Sequence, residues 1–319
     1  MVSGEQERIA FGSLIPKWSL AASHSMSSLV TFASRSCAQH DCNPFAGTRL
    51  KEAMRDLLDL PAPEADHRVA YGALPQQFGD LYLAEGAGPH PLLLALHGGF
   101  WREQYDLTHL GHLCAALARA GFAVWSVEYR RIGQEGGGYP GTLQDVSLAA
   151  GFLPQLRRRF PALGAGVVAL GHSAGGQLAL WLAGRHHAPA ASGVHGPPLG
   201  LAGVVALAPV SDLAEASRRD LGAGVVRDFL GGAPEAQPER YAAASPCRLL
   251  PLGVPQVVVH GTEDDTVPYT LSQAYVAEAQ SRGDRAELRT LRGLGHFEPI
   301  DPRSAAWPAV VAAVRALSE

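Results

Sequence analysis

The order of apolar runs predicts an α/β chain, with a mostly parallel sheet flanked by helices and an antiparallel hairpin at its N-terminal end. Three observations carry that prediction. LLLALHGG, VVALGHS and PQVVVHG are continuous apolar runs closed by glycine or polar residues, as strands buried on both faces are. Stretches with helical apolar spacing separate them, which calls for right-handed crossovers between parallel strands. Before them, Arg68 to Glu85 alternates and contains GDLYLAEG, the pattern of a hairpin.

Residues 49–60 have the spacing of a short amphipathic helix. After the hairpin and the LLLALHGG strand, a helix is expected from His109 to Ala120, stopped by Gly121. FAVWSVEYR is the next strand. The helix of YPGTLQDVSLAAGFLPQLRRRF opens with Pro140, carries Pro154 as a kink site, and ends in Arg157, Arg158 and Arg159, where cations suit the helix dipole. VVALGHS leads into the helix AGGQLALWLAGRHH, and LAGVVALAPV is a strand. Asp212 to Leu252 is longer than an ordinary connection and is expected to make an excursion near the site. PQVVVHG, a helix over 270–281, a strand in AELRTLRGLGHF and the helix AAWPAVVAAVRALS complete the series. Residues 1–50 lack periodicity and read as a leader or as a lid; residues 51–319 read as one domain.

Hydrophobic residues make up 47% of the 319 and charged residues 18%, which supports a large core. The net charge of −4 offers no basic face, so nucleic acid is not an expected partner. No apolar run has the length of a membrane span, and the expected location is the cytoplasm. The four cysteines, Cys37, Cys42, Cys114 and Cys247, lack metal-type spacing. Cys37 and Cys42 are read as free thiols, with a loop disulfide as the alternative; Cys114 falls on an apolar helix stripe. His109 and His112 share a helix face but lack a third ligand, so no metal and no cofactor are expected.

The sharpest local signal is Gly171-His172-Ser173-Ala174-Gly175-Gly176, where a strand becomes a helix. A nucleophilic serine needs a strained turn that lifts its oxygen above the sheet, and small residues on either side allow the close approach. Its histidine should follow the last strand, which selects His296 in GLGHFEP over His186, His187 and His195. His260 reads as a buried, hydrogen-bonded histidine. The acid should follow the preceding strand, where VVVHGTEDDTVP supplies Glu263, Asp264 and Asp265; Asp264 is preferred, with Asp265 as the alternative and Asp212 a more distant one.

His97-Gly98-Gly99-Phe100-Trp101 closes the first core strand. The N–H groups of Gly98, Gly99 or Phe100, with that of Ala174, can hold an oxyanion. His97 is expected to hold this loop. Phe100, Trp101, Tyr105, Tyr139 and Phe297 are candidates for a pocket wall; Trp181, inside a helix, is expected to be core.

On these motifs the chain resembles the α/β-hydrolases over residues 68–319. HGGFW resembles the loop of feruloyl-esterase-like esterases and kynurenine formamidases, and EYR with YPGTLQD resembles a segment of hormone-sensitive-lipase-like esterases in which the position of Asp145 is structural. His172 stands where the lipase-like members carry aspartate. The resemblance implies a serine esterase acting without a cofactor on a small or aromatic ester or an aryl amide, with a homodimer as an admissible assembly. The alternatives are an arylformamidase acting on N-formylkynurenine, a dipeptidyl-type peptidase lacking its usual extra domain, and a non-catalytic binding protein of the same fold.

Overall fold

The computed structural model describes Leu57 and residues 60–318. Residues 1–50, with Cys37, Cys42 and the leader or lid, lie outside the described residues, as does most of the 49–60 segment; Leu57 within it is helical and buried.

Eight strands form one sheet in the order β1-β2-β4-β3-β5-β6-β7-β8. They are β1 (His67–Ala70), β2 (Phe78–Tyr82), β3 (His90–Leu96), β4 (Ala123–Val127), β5 (Leu163–His172), β6 (Leu201–Leu207), β7 (Gln256–Gly261) and β8 (Ala286–Leu291). β1 and β2 are the expected antiparallel hairpin; β2 also pairs antiparallel with β4. Every pairing from β4 through β3 to β8 is parallel.

The helices are α1 (Gly111–Arg119), α2 (Gly141–Arg159), α3 (Ala174–Gly184), α4 (Leu213–Arg218), α5 (Val225–Leu230), α6 (Pro238–Ala244), α7 (Tyr269–Ser281) and α8 (Trp307–Ser318). They cover both faces of the sheet. Leu92, Leu94 and Leu96 of β3 belong to the core on the face covered by α2, α3 and α7; Leu93 and Ala95 face the other way, into the core covered by α1 and α8. This alternation of burial on two faces is why β3 reads as an unbroken apolar run. α2 continues through Pro154, which lies exposed on its solvent side, where a displaced carbonyl can turn to water. The excursion after Asp212 consists of α4, α5 and α6, with Asp212 capping α4 through bonds from the Ala214 and Glu215 N–H groups.

Among the described residues no helix is long and apolar enough to cross a membrane, and no group of three or more His, Cys, Asp or Glu is arranged to hold a metal. Cys114 is buried on α1, where burial pushes its thiol up to about 12. Trp181 is buried, its Nε1 donating to the Ala243 carbonyl at 3.0 Å.

Candidate active site

Parallel strands deliver their C-terminal ends to one edge of the sheet, and there the chain collects the residues with chemical potential. Ser173 sits between β5 and α3 with φ 57° and ψ −118°. A residue with a Cβ meets steric strain in that region, on the order of 1–3 kcal/mol. The turn is held by Ser173 N donating to Leu207 O at 2.8 Å and by Val210 N and Gln177 N donating to Ser173 O. A serine at a helix start ordinarily caps it; Ser173 makes no side-chain capping bond to α3. Its flanking glycines are dictated by contact. A Cβ at Gly171 would lie 2.0 Å from Gly175 O, and one at Gly175 would lie 2.0 Å from Leu96 O.

His296 follows β8, and its Nδ1 donates to Asp264 Oδ2 at 2.6 Å. Asp264 follows β7 and has a fully buried side chain. Its Oδ2 also accepts from His260 Nε2 at 2.9 Å, and its Oδ1 accepts from Thr266 N at 2.9 Å and Val267 N at 2.7 Å. Burial acts to raise this carboxyl's pKa, but the bonds from His260 and His296, the His296 charge and the Val267 N–H outweigh it and hold it well below the usual carboxylate range. Asp265, the alternative acid, approaches Thr266 Oγ1 at 3.4 Å. His260 is buried as expected, but as a partner of the acid. Its Nε2 also faces Val267 O at 2.9 Å, so this nitrogen carries the proton, and Nδ1 faces Ser272 Oγ at 2.7 Å.

His172 ties the loop of His296 to the end of β5. Its Nε2 donates to the His296 carbonyl at 2.9 Å, and the two rings lie 4.6 Å apart. With Nε2 donating, Nδ1 accepts from His109 Nε2 at 3.0 Å. Burial, then the neighbouring charges of His296 and His109, holds His172 well below its ordinary pKa, so it stays a neutral relay of hydrogen bonds. Phe297 packs edge-on to His296 at 5.1 Å, beside His172 at 6.0 Å.

The HGGFW segment is a tight turn. Arg102 N donates to Gly99 O at 3.0 Å, and its two central residues have positive φ, 52° at Phe100 and 55° at Trp101. Gly99 itself has φ 102°, and a Cβ there would meet Tyr105 Cβ at 2.3 Å. The anchor is Trp101. It is fully buried, stacks on Phe229 at 4.5 Å and donates from Nε1 to Gln177 Oε1 at 3.0 Å. Gln177 in turn donates to Ala244 O at 2.9 Å, which ties the turn to α3 and to the excursion. His97 sits behind the turn with ring nitrogens 2.8 Å from Gly98 O and 3.1 Å from Glu128 Oε1, and it stacks on Tyr129 at 4.3 Å. Ala174 N opens α3, where a first-turn N–H has no acceptor within the helix. The N–H groups of Gly98, Gly99, Phe100 and Ala174 thus belong to two segments fixed against each other by the Leu96–Gly175 contact.

Of the five aromatic residues expected to line a pocket, Phe297 stands against His296, Phe100 lies beside the Gly222 backbone and Tyr105 is 44% exposed next to Gly99. Trp101 is the buried support of the turn. The side chain of Tyr139 is engaged elsewhere, its hydroxyl donating to Ser192 O at 2.6 Å and its ring under Arg240. Asp145 takes the structural part expected of it, accepting from Arg130 Nε and Nη2 at 2.8 Å each and from Gln77. Sequence reasoning missed Gln177 and the His109–His172 pair. Gln177, a fully buried amide on an otherwise apolar helix, was the available signal.

The sequence matches the BD-FAE family over residues 80–278. A comparison with curated proteins finds no match. Among solved structures, a truncated carbohydrate esterase from gut microbiota superposes with a TM-score of 0.68 at 19% identity, over 81% of this chain and 97% of that one. An inhibited esterase B from Lactobacillus rhamnosis gives 0.66 at 22% identity, over 86% and 93%. A thermophilic esterase from the planctomycete Thermogutta terrifontis gives 0.63 at 20% identity, over 80% and 91%. At these identities the likeness establishes the α/β-hydrolase fold.

Proposed function

The chain belongs to the BD-FAE family, a carboxylic ester hydrolase of the α/β-hydrolase type, and we propose that it cleaves small or aromatic esters through an acyl-enzyme formed on Ser173. The observations that carry this reading are the 2.6 Å bond from His296 Nδ1 to a buried Asp264 and a serine held at φ 57° between strand and helix, whose chain neighbour His172 has its ring 4.6 Å from the His296 ring. With Nδ1 donating, His296 presents Nε2 as the base. It takes the Ser173 proton as the hydroxyl oxygen attacks the ester carbonyl. The oxyanion is received by the N–H of Ala174 and those of the Gly98–Phe100 turn, each such donor being worth roughly 10²–10³ in rate. His296 then protonates the leaving alcohol, and water repeats the sequence to free the acid. Phe297, Phe100 and Tyr105 supply aromatic surface around the turn and the base, which suits a flat acyl or alcohol group.

The test is hydrolysis of p-nitrophenyl acetate and butyrate beside N-formylkynurenine, by wild type and Ser173→Ala. Ester cleavage that vanishes in Ser173→Ala, with little formamide turnover, is the expected result. Preferred formamide cleavage would move the chain to the arylformamidase reading that HGGFW also suggests. Ester cleavage that survives in Ser173→Ala would remove Ser173 as nucleophile.

A further inference from the structure

Arg185 follows directly on α3, at the end opposite Ser173 and so about 16 Å along the helix axis. Its side chain is unusual in two ways. Its residue exposure is 7%, and its Nε is buried without a hydrogen-bond partner. Among the described residues no carboxylate pairs with it. A buried cation ordinarily has an acid beside it, because desolvating an unpaired charge is expensive.

The guanidinium lines a cavity of about 610 Å³ whose wall contains no Asp or Glu. Tyr71, Gln144, Ser147, Gln155 and His195 supply the other polar groups, and Phe152, Leu148 and Val194 apolar surface. His195 donates from Nδ1 to Ala188 O at 2.9 Å. The surroundings are basic as well. The His186 and His187 rings lie tilted 4.0 Å apart next to Arg185 in sequence, and burial above all pushes the His186 pKa down. Burial likewise pushes the Arg185 guanidinium below its ordinary value. An anion placed here would meet an unpaired, buried donor on a permanently charged group.

We propose that this cavity binds a small organic carboxylate, its oxygens on the Arg185 guanidinium and its carbon skeleton against Phe152, Leu148 and Val194. A planar guanidinium suits a carboxylate, which accepts two parallel N–H bonds from it. The apolar wall distinguishes such a ligand from a bare inorganic anion. The site is separate from Ser173 and does not depend on the catalytic reading.

Isothermal titration of the full chain tests it, with benzoate, its neutral isostere benzamide and inorganic phosphate as separate arms. Saturable one-to-one binding of benzoate is expected, without saturable binding of benzamide. Arg185→Gln should weaken it by about tenfold or more, the scale of a charge-assisted contact. Leu148→Glu, at a position 46% exposed and therefore tolerant of substitution, places a like charge at the rim and should weaken benzoate binding too. Ser173→Ala should bind benzoate as wild type does. The proposal is overturned by no saturable benzoate binding up to ~10 mM, by phosphate binding in place of benzoate, by equal binding of benzamide, or by an affinity unchanged in whichever of the two cavity variants folds. Loss of benzoate binding in Ser173→Ala would assign the ligand to the catalytic site and overturn it as well.

Discussion

Replacing Asp264 by asparagine probes the site through a single proton. The carboxylate accepts four hydrogen bonds: Oδ1 from Thr266 N and Val267 N, Oδ2 from His296 Nδ1 and His260 Nε2. An asparagine amide has one acceptor oxygen and one donor nitrogen. The two backbone N–H groups cannot turn away, so the amide oxygen is committed to them and the NH₂ must face the histidines. His296 Nδ1 then has to accept, which moves its proton to Nε2. In that tautomer the ring cannot take the Ser173 proton. The expected loss in kcat is about 10³–10⁴-fold, or ~4–5 kcal/mol of barrier, with KM for p-nitrophenyl butyrate little changed. Asp265→Asn is expected to stay within about threefold of wild type, since Asp265 is exposed and an exposed substitution rarely exceeds about 0.5 kcal/mol. Steady-state hydrolysis of p-nitrophenyl esters measures both variants. An Asp264→Asn enzyme within tenfold of wild type, or an Asp265→Asn enzyme as damaged as Asp264→Asn should be, would refute the reasoning.

Three further outcomes follow from the same contacts. Gly175→Ala puts a Cβ 2.0 Å from Leu96 O, with backbone on both sides, and should destabilise the chain by ~2 kcal/mol or more, read as soluble yield and urea midpoint; a variant with the wild-type midpoint would contradict the packing described. Trp101→Phe keeps much of the stacking on Phe229 but leaves the buried Gln177 Oε1 without its donor, so about 1–3 kcal/mol of stability should go in urea titration, together with part of the kcat as the strained turn loses its anchor. The pH dependence of stability is set partly by Asp264. Its carboxyl is depressed in the folded state, so its contribution is fully present above the unfolded value of about 4 and drains away as pH falls toward the folded value. Urea midpoints measured from pH 6 to pH 2 should therefore fall less for Asp264→Asn than for wild type, and parallel curves would mean that the buried carboxylate is not held ionised.

The sheet and its order of helices were legible because β3 to β7 are buried on both faces over most of their length, a pattern that few other arrangements require. The turn at Ser173 was legible because steric exclusion writes itself into sequence: a 2.0 Å clash leaves only glycine at 171 and 175. Chain order then pointed to residues after β7 and β8, and the choice between Asp264 and Asp265 rested on spacing alone. What separates those two neighbours physically is the direction of the chain after β7. It turns so that Asp264 accepts two consecutive backbone N–H groups from Thr266 and Val267, a local geometry that spacing does not encode.

Of the aromatic candidates, Trp101 departs from a pocket wall for a related reason. Sequence adjacency places Phe100 and Trp101 in the same turn, but with positive φ at both the two side chains leave the backbone in different directions. Phe100 lies against the Gly222 backbone, and Trp101 enters the core to meet Phe229 and Gln177. The same holds for the histidines. His260 lies only four residues from Asp264 yet meets it across the end of β7, and His172 reaches the carbonyl of His296, 124 residues away. Each fixes a neighbour: His260 occupies the second lone pair of Asp264 Oδ2, and His172 fixes the backbone that carries His296. Both are buried and bonded on both ring nitrogens, so any replacement must satisfy two polar partners in the same volume. That double requirement, created by tertiary contact, is what ties these positions to the site although neither lies in the proposed line of proton transfer.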